Sequence, residues 1–171
     1  APQLRQSLEC LQVPVLELDD GTLLRESLAI IDYLDAVYPE PPLWPREPLR
    51  RARASEMAQI VNSGIQPLQN MAVLEHVSSF GGDRKAWGAK YNQAGLQALQ
   101  ALAAPFAEEG PFLLGDEATV ADICLIPQLF SARRFELDLT PYPRLLQVER
   151  HCAELPVFTA AHADQQPDAQ P

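Results

Sequence analysis

Val13-Pro14-Val15-Leu16-Glu17-Leu18, then Asp19-Asp20-Gly21-Thr22, then Leu23-Leu24-Arg25-Glu26-Ser27-Leu28-Ala29-Ile30-Ile31-Asp32-Tyr33-Leu34 run on without interruption. The order reads as strand, tight turn, strand, helix. Asp20-Gly21 between two apolar runs is a strong short-range hairpin signal. Pro14 has no N–H to give to a ladder, so it belongs at a strand start or edge, and its bond to Val13 is a candidate for the cis form. Ser27 stands at the N-cap position of a helix expected over 27–38. The free N–H groups and positive dipole end behind such a cap favour a bound carboxylate.

Outward from that unit, residues 1–12 carry only Leu4, Leu8 and Leu11 as a hint of an amphipathic turn. On the other side, Tyr38-Pro39-Glu40-Pro41-Pro42-Leu43-Trp44-Pro45-Arg46-Glu47-Pro48 is too rich in proline for helix or central strand and reads as a linker over 39–48. Everything beyond it reads helical. Apolar residues at near-helical spacing predict a long helix over 48–77, kinked or interrupted at Gly64 and Pro67. Ser78-Ser79-Phe80-Gly81-Gly82-Asp83 predicts a break, and a second long helix follows over 84–104. Thr119-Val120-Ala121-Asp122 has the form of a capping box before the apolar run Ile123 to Phe130, which predicts a buried helix bent at Pro127. Pro143 and Pro156 open two more helices. The tail from Gln165 is polar and expected to be loosely held.

Composition sets outer limits. Thirteen Lys+Arg against 23 Asp+Glu give a net charge of −10 with no compensating basic run, which excludes nucleic acid as a partner. No apolar stretch reaches membrane-spanning length and no leader pattern opens the chain, so a cytoplasmic protein with no membrane partner is expected. Cys10, Cys124 and Cys152 lack metal-type spacing, and His76, His151 and His162 are scattered, so no metal site is assigned. Cys124 lies in an apolar run and reads as a small buried hydrophobe rather than a nucleophile.

The Val-Pro bond, the Glu-Ser pair and the helix Leu28-Ala29-Ile30-Ile31-Asp32-Tyr33-Leu34 resemble the glutathione-binding half of a cytosolic glutathione transferase. The capping box resembles that of the family's central core helix, where it serves folding. Two further segments narrow the resemblance to the zeta class, whose known activity is maleylacetoacetate isomerase. They are Gly64-Ile65-Gln66-Pro67-Leu68-Gln69-Asn70-Met71-Ala72-Val73-Leu74, and Ala121 to Gln128 followed by Ala132 to Pro143. The closing Gln166-Pro167-Asp168 resembles that class too.

The implied fold is α+β and mostly α. A partial thioredoxin-like ββα unit (1–38) would precede a Pro-rich linker (39–48) and an all-helical C-terminal domain (49–171). The implied cofactor is glutathione. By resemblance, Val13 before Pro14 pairs its backbone with the cysteinyl part of glutathione, and Glu26 and Ser27 hold the γ-glutamyl carboxylate. Gln66, Asn70, Met71 and Ala72 correspond to positions that help bind glutathione at the subunit interface of a homodimer. Four residues apart, Gln66 and Asn70 are expected to share a helix face. By spacing alone they read as a solvated amide pair. Arg134 matches an arginine held to bind a carboxylate of a small-molecule diacid substrate, a task suited to the bidentate guanidinium. By position alone it reads as an exposed helix-end arginine favoured by the dipole.

The zeta class carries a catalytic Ser-Ser-Cys run several tens of residues before the position of Pro14. Thirteen residues precede Pro14 here and none forms that run, so no catalytic residue is assigned. Three readings stay open: an upstream half of the domain outside these 171 residues, a half supplied by another chain, or a relative that kept the fold for binding or scaffolding. The leading expectation is glutathione-dependent cis–trans isomerisation of maleylacetoacetate. Dehalogenation of small acids and maleylpyruvate-type isomerisation lie within the same resemblance.

Overall fold

The computed structural model describes residues 13–167 and Ala169, which divide between Leu43 and Trp44 into two compact units. Cys10, the Leu4/Leu8/Leu11 pattern and Asp168 lie outside the described residues.

In the first unit, β1 (Val15–Glu17) pairs antiparallel with β2 (Leu23–Arg25), Val15 opposite Arg25 and Glu17 opposite Leu23. The turn closes as its composition dictates. Gly21 takes φ +83, Leu18 N–H reaches Thr22 O at 2.9 Å, and Asp20 Oδ1 accepts the Thr22 N–H at 2.8 Å. The Val13–Pro14 bond is cis, and so is Glu40–Pro41. Helix α1 (Ser27–Val37) follows β2 after one residue and buries Ile30.

The second unit is helical: α2 (Pro48–Gln59), α3 (Met71–Ser79), α4 (Arg84–Ala103), α5 (Val120–Arg134), α6 (Pro143–Glu154) and α7 (Pro156–Ala161). Prolines open α2, α6 and α7 because the first helical turn does not need their missing N–H. Side-chain caps do the rest: Glu47 accepts from Leu49 and Arg50, and Asp83 from Lys85 and Ala86. Helix α5 packs against α2 and α6 and buries eight of its 15 residues, among them Leu125, Gln128 and Leu129. Leu96 and Leu99 of α4 and Leu145 of α6 complete this core.

The expected single helix over 48–77 is instead divided. After α2 the backbone widens into a π turn (Ile60–Ile65), tightens into a 3-10 turn (Gln66–Gln69), and breaks at Asn70. The Gln66 N–H bonds back to Val61 O, the i−5 spacing of a π turn. Asn70 leaves the helical region at ψ 141, and its side-chain oxygen accepts the Ala72 N–H at 3.0 Å to start α3. Gln66 and Asn70 therefore do not share a helix face. Pro67, which has no N–H for an α-helical bond, and Asn70, which prefers to cap, replace the kink with a restart.

Candidate functional site

The chemistry-bearing residues fall into two groups, one in each unit. In the first unit the register of β1 and β2 fixes the neighbourhood. Beyond the Val15–Arg25 pair the chain leaves the sheet, with Val13 and Pro14 just before β1 and Glu26 and Ser27 just after β2. Val13 is 87% exposed. Ser27 is the first helical residue and not the cap, a one-residue correction to the sequence reading. Glu26 occupies the cap position with φ 70 and ψ 122, and its side chain caps nothing. A positive φ at a residue with a Cβ stores strain, and such strain concentrates at functional sites.

The first bond inside α1 runs from Ile30 N–H to Glu26 O. The N–H groups of Ser27, Leu28 and Ala29 accordingly have no intrahelical partner, and no acidic side chain lies in the first turn to compensate the dipole. A carboxylate from outside is what this end lacks. A helix start in this state is chemically suited to a carboxylate-bearing ligand.

In the second unit, Gln66 is half-buried, while Asn70, Met71 and Ala72 are exposed at the start of α3, Met71 to 60%. Arg134 ends α5 and is exposed. Its neighbour Arg133 holds Glu149 through both guanidinium nitrogens at 2.6 Å, which anchors α5 to α6. Arg134 forms no ion pair among the described residues. On its other side, Phe135 lies where Gly88 of α4 leaves room. A Cβ at position 88 would stand 2.2 Å from the Phe135 ring. Lys85 and Glu136 pair at 2.6 Å over the same junction. Arg134 is thus a free cation on a helix end pinned from both sides.

The buried groups serve folding. Asp122 is fully buried and accepts from Leu113 N–H, Thr119 N–H and Thr119 Oγ1 at 2.8, 2.8 and 3.0 Å. Burial still raises its carboxyl above the usual carboxylate range, against those hydrogen bonds. Thr119 completes the capping box by accepting from Ala121 N–H at 3.3 Å. Arg144, also buried, donates to the carbonyls of Phe106, Gly110 and Phe112 and so ties down the loop before α5. Cys124 and Cys152 are free and buried, with thiols pushed up to about 11 and about 12, and neither is a thiolate at neutral pH. Among the described residues no cluster of His, Cys, Asp or Glu could hold a metal ion, and no helix is long and apolar enough to cross a membrane.

Comparison with known proteins assigns this arrangement to a family. The N-terminal domain of glutathione S-transferase matches residues 1–42, and the C-terminal domain of the same enzymes matches residues 85–151. A probable maleylacetoacetate isomerase of Drosophila melanogaster is 43% identical over 160 residues, which are 94% of this chain and 68% of the fly protein. The chain belongs to the zeta-class glutathione transferases, the maleylacetoacetate isomerase family. A maleylacetoacetate isomerase from Anaeromyxobacter dehalogenans superposes on this zeta-class chain with a TM-score of 0.89 at 44% identity, covering 99% of this chain and 78% of that one. That crystal structure holds dicarboxyethyl glutathione and citrate in its active site. A bacterial zeta-class maleylpyruvate isomerase is similar at TM-score 0.88 and 39% identity, covering 93% of this chain and 76% of its own.

Sequence reasoning missed one feature of this transferase. Gln69, Asn92 and Gln128 join their amides in the second unit, from positions 23 and 36 residues apart. No spacing signal links three residues on three different elements; only their burial, with Asn92 and Gln128 fully inaccessible, reveals them.

Proposed function

We infer that the protein is a glutathione-dependent cis–trans isomerase acting on maleylacetoacetate or a close diacid relative. The observation that carries this reading is the 43% identity with the probable maleylacetoacetate isomerase of Drosophila melanogaster along 94% of the chain. The uncapped start of α1 supports it independently, because it lacks the anion that a γ-glutamyl carboxylate would supply.

Each residue has a physical task in this reading. The first-turn N–H groups of α1 and the Ser27 hydroxyl hold the γ-glutamyl carboxylate, and the strained Glu26 backbone presents them. Val13, exposed before Pro14, offers its backbone to the cysteinyl unit of the tripeptide. Gln66 and Asn70, with Met71 and Ala72, add further contacts to glutathione. Bound glutathione supplies a thiol that adds to the conjugated diacid and leaves again, freeing one carbon–carbon bond to rotate. Arg134 holds a substrate carboxylate through its fork of N–H groups, which orients the diacid and offsets its charge. The protein works as a cytoplasmic homodimer. Exposed Met71 and Phe80 at the two ends of α3 offer apolar surface for a second copy, and free, buried Cys124 and Cys152 suit a reducing compartment.

The test is the conversion of maleylacetoacetate to its trans isomer with and without glutathione. Acceleration only with glutathione is expected, and Arg134→Ala should raise KM for the diacid about tenfold, a loss of about 1.4 kcal/mol, while glutathione affinity holds. No acceleration despite tight glutathione binding would leave a binding protein, and equal loss of both affinities would remove the role of Arg134.

A further inference from the structure

The 3-10 turn Gln66–Gln69 sits between two helical segments that do not continue through it, so its polar groups need partners outside the helical ladder. The structure supplies them from α4 and α5. Trp87 Nε1 donates to Leu68 O at 2.9 Å. Asn92 Nδ2 donates to Gln69 Oε1 at 2.8 Å and to Gly88 O at 2.9 Å, while its Oδ1 accepts from Gln128 Nε2 at 2.6 Å. Gln69 Nε2 donates in turn to Gln128 Oε1 at 3.2 Å. Three uncharged amides thus close a ring across three elements, with Asn92 and Gln128 fully buried.

Such a ring is an odd choice if the core needed only stability. Apolar residues of the same volume would fill the space without polar groups to satisfy. What a satisfied buried network adds is one geometry, because any shift of the turn leaves an amide unpaired. The turn held in this way opens with Gln66 and leads directly into Asn70.

We propose that Asn92, together with Gln69 and Gln128, is a positioning residue for the turn that carries Gln66 and Asn70 to glutathione. The inference rests on the glutathione role given above to Gln66 and Asn70.

The test compares the unaltered protein with Gln69→Met and Asn92→Leu. Both replacements keep much of the side-chain volume and remove the amide, and the half-buried Gln69 tolerates the change better than the buried core. Dissociation constants for glutathione come from calorimetry, KM for the diacid from kinetics, and folding from the melting temperature. Gln69→Met should weaken glutathione binding about tenfold, equivalent to about 1.4 kcal/mol, with KM for the diacid unchanged. Asn92→Leu should do the same or more in its folded fraction. Unchanged glutathione affinity in a folded Gln69→Met protein overturns the proposal, and so does equal weakening of glutathione and diacid. An unaltered protein that binds no glutathione overturns the reading beneath it as well, and the unaltered control separates the two failures.

Discussion

At the start of α5, Thr119 Oγ1 accepts the first-turn Ala121 N–H, and the buried Asp122 carboxylate accepts the N–H groups of Thr119 and the neighbouring Leu113. At the start of α1, Glu26 sits in the cap position at φ 70 with its side chain unused, and the first-turn donors have no side-chain cap. The two ends carry the same dipole and the same count of orphan N–H groups. One is sealed with an internal carboxylate and is fully buried; the other is left strained and open. A helix end satisfied from within contributes to the fold, while one left wanting is available to a ligand. In this protein the difference separates the residue that holds the core from the residues read as holding glutathione.

Exchanging the properties of the two ends should break the comparison in opposite ways. Asp122→Ala strands three buried donors and should cost about 3 kcal/mol or more of stability, read as a lower denaturation midpoint. The folded fraction should bind glutathione as before. The same carboxyl gives the closed end a pH signature. Its folded-state value is raised by burial, so the folded state holds the proton more tightly than the unfolded chain, and this contribution is full below the ordinary aspartate value of about 3.9. It is lost as pH climbs through the raised value. Stability measured against an Asp122→Asn protein should therefore fall with rising pH over that window.

At the open end the losses should appear in binding and not in folding. Ser27→Ala should weaken glutathione about tenfold, or about 1.4 kcal/mol, with the melting temperature unmoved. The smallest effect sharpens the contrast most. Glu26→Gly removes the Cβ that opposes a positive φ, and it should hold or raise stability by up to about 1 kcal/mol while glutathione affinity drops. Calorimetry and thermal melts on one preparation read both quantities. A Glu26→Gly protein that loses stability would show that no strain is stored there.

Much of this was legible in the chain before any coordinates. Asp20-Gly21 specifies its turn through glycine's tolerance of positive φ, and Thr119-Val120-Ala121-Asp122 specifies its cap because the reciprocal Thr119–Asp122 bonds of the box lie within three residues. Pro143 and Pro156 mark helix starts for an equally local reason. Local chemistry was less decisive where two signals competed. Ser27 is a good cap by type, yet the helix begins one residue earlier in effect, with Glu26 forced into the cap position. Periodicity carried through Gly64 and Pro67 suggested a bent helix with Gln66 and Asn70 on one face. A π turn, a 3-10 turn and a restart at Asn70 replace it, since their energetics depend on Trp87 and Asn92 of a distant helix. The setting of Arg134 was hidden likewise, because it depends on the space above Gly88 and on Glu149 of α6.

The most direct test of the open-end account is a titration with glutathione and with its analogue lacking the γ-glutamyl carboxylate. If the free first turn of α1 holds that carboxylate, the analogue should bind at least about tenfold more weakly to the unaltered protein. It should bind equally to the unaltered and Ser27→Ala proteins. Equal affinity of the unaltered protein for both ligands would contradict the account, because the start of α1 would then have no part in holding glutathione.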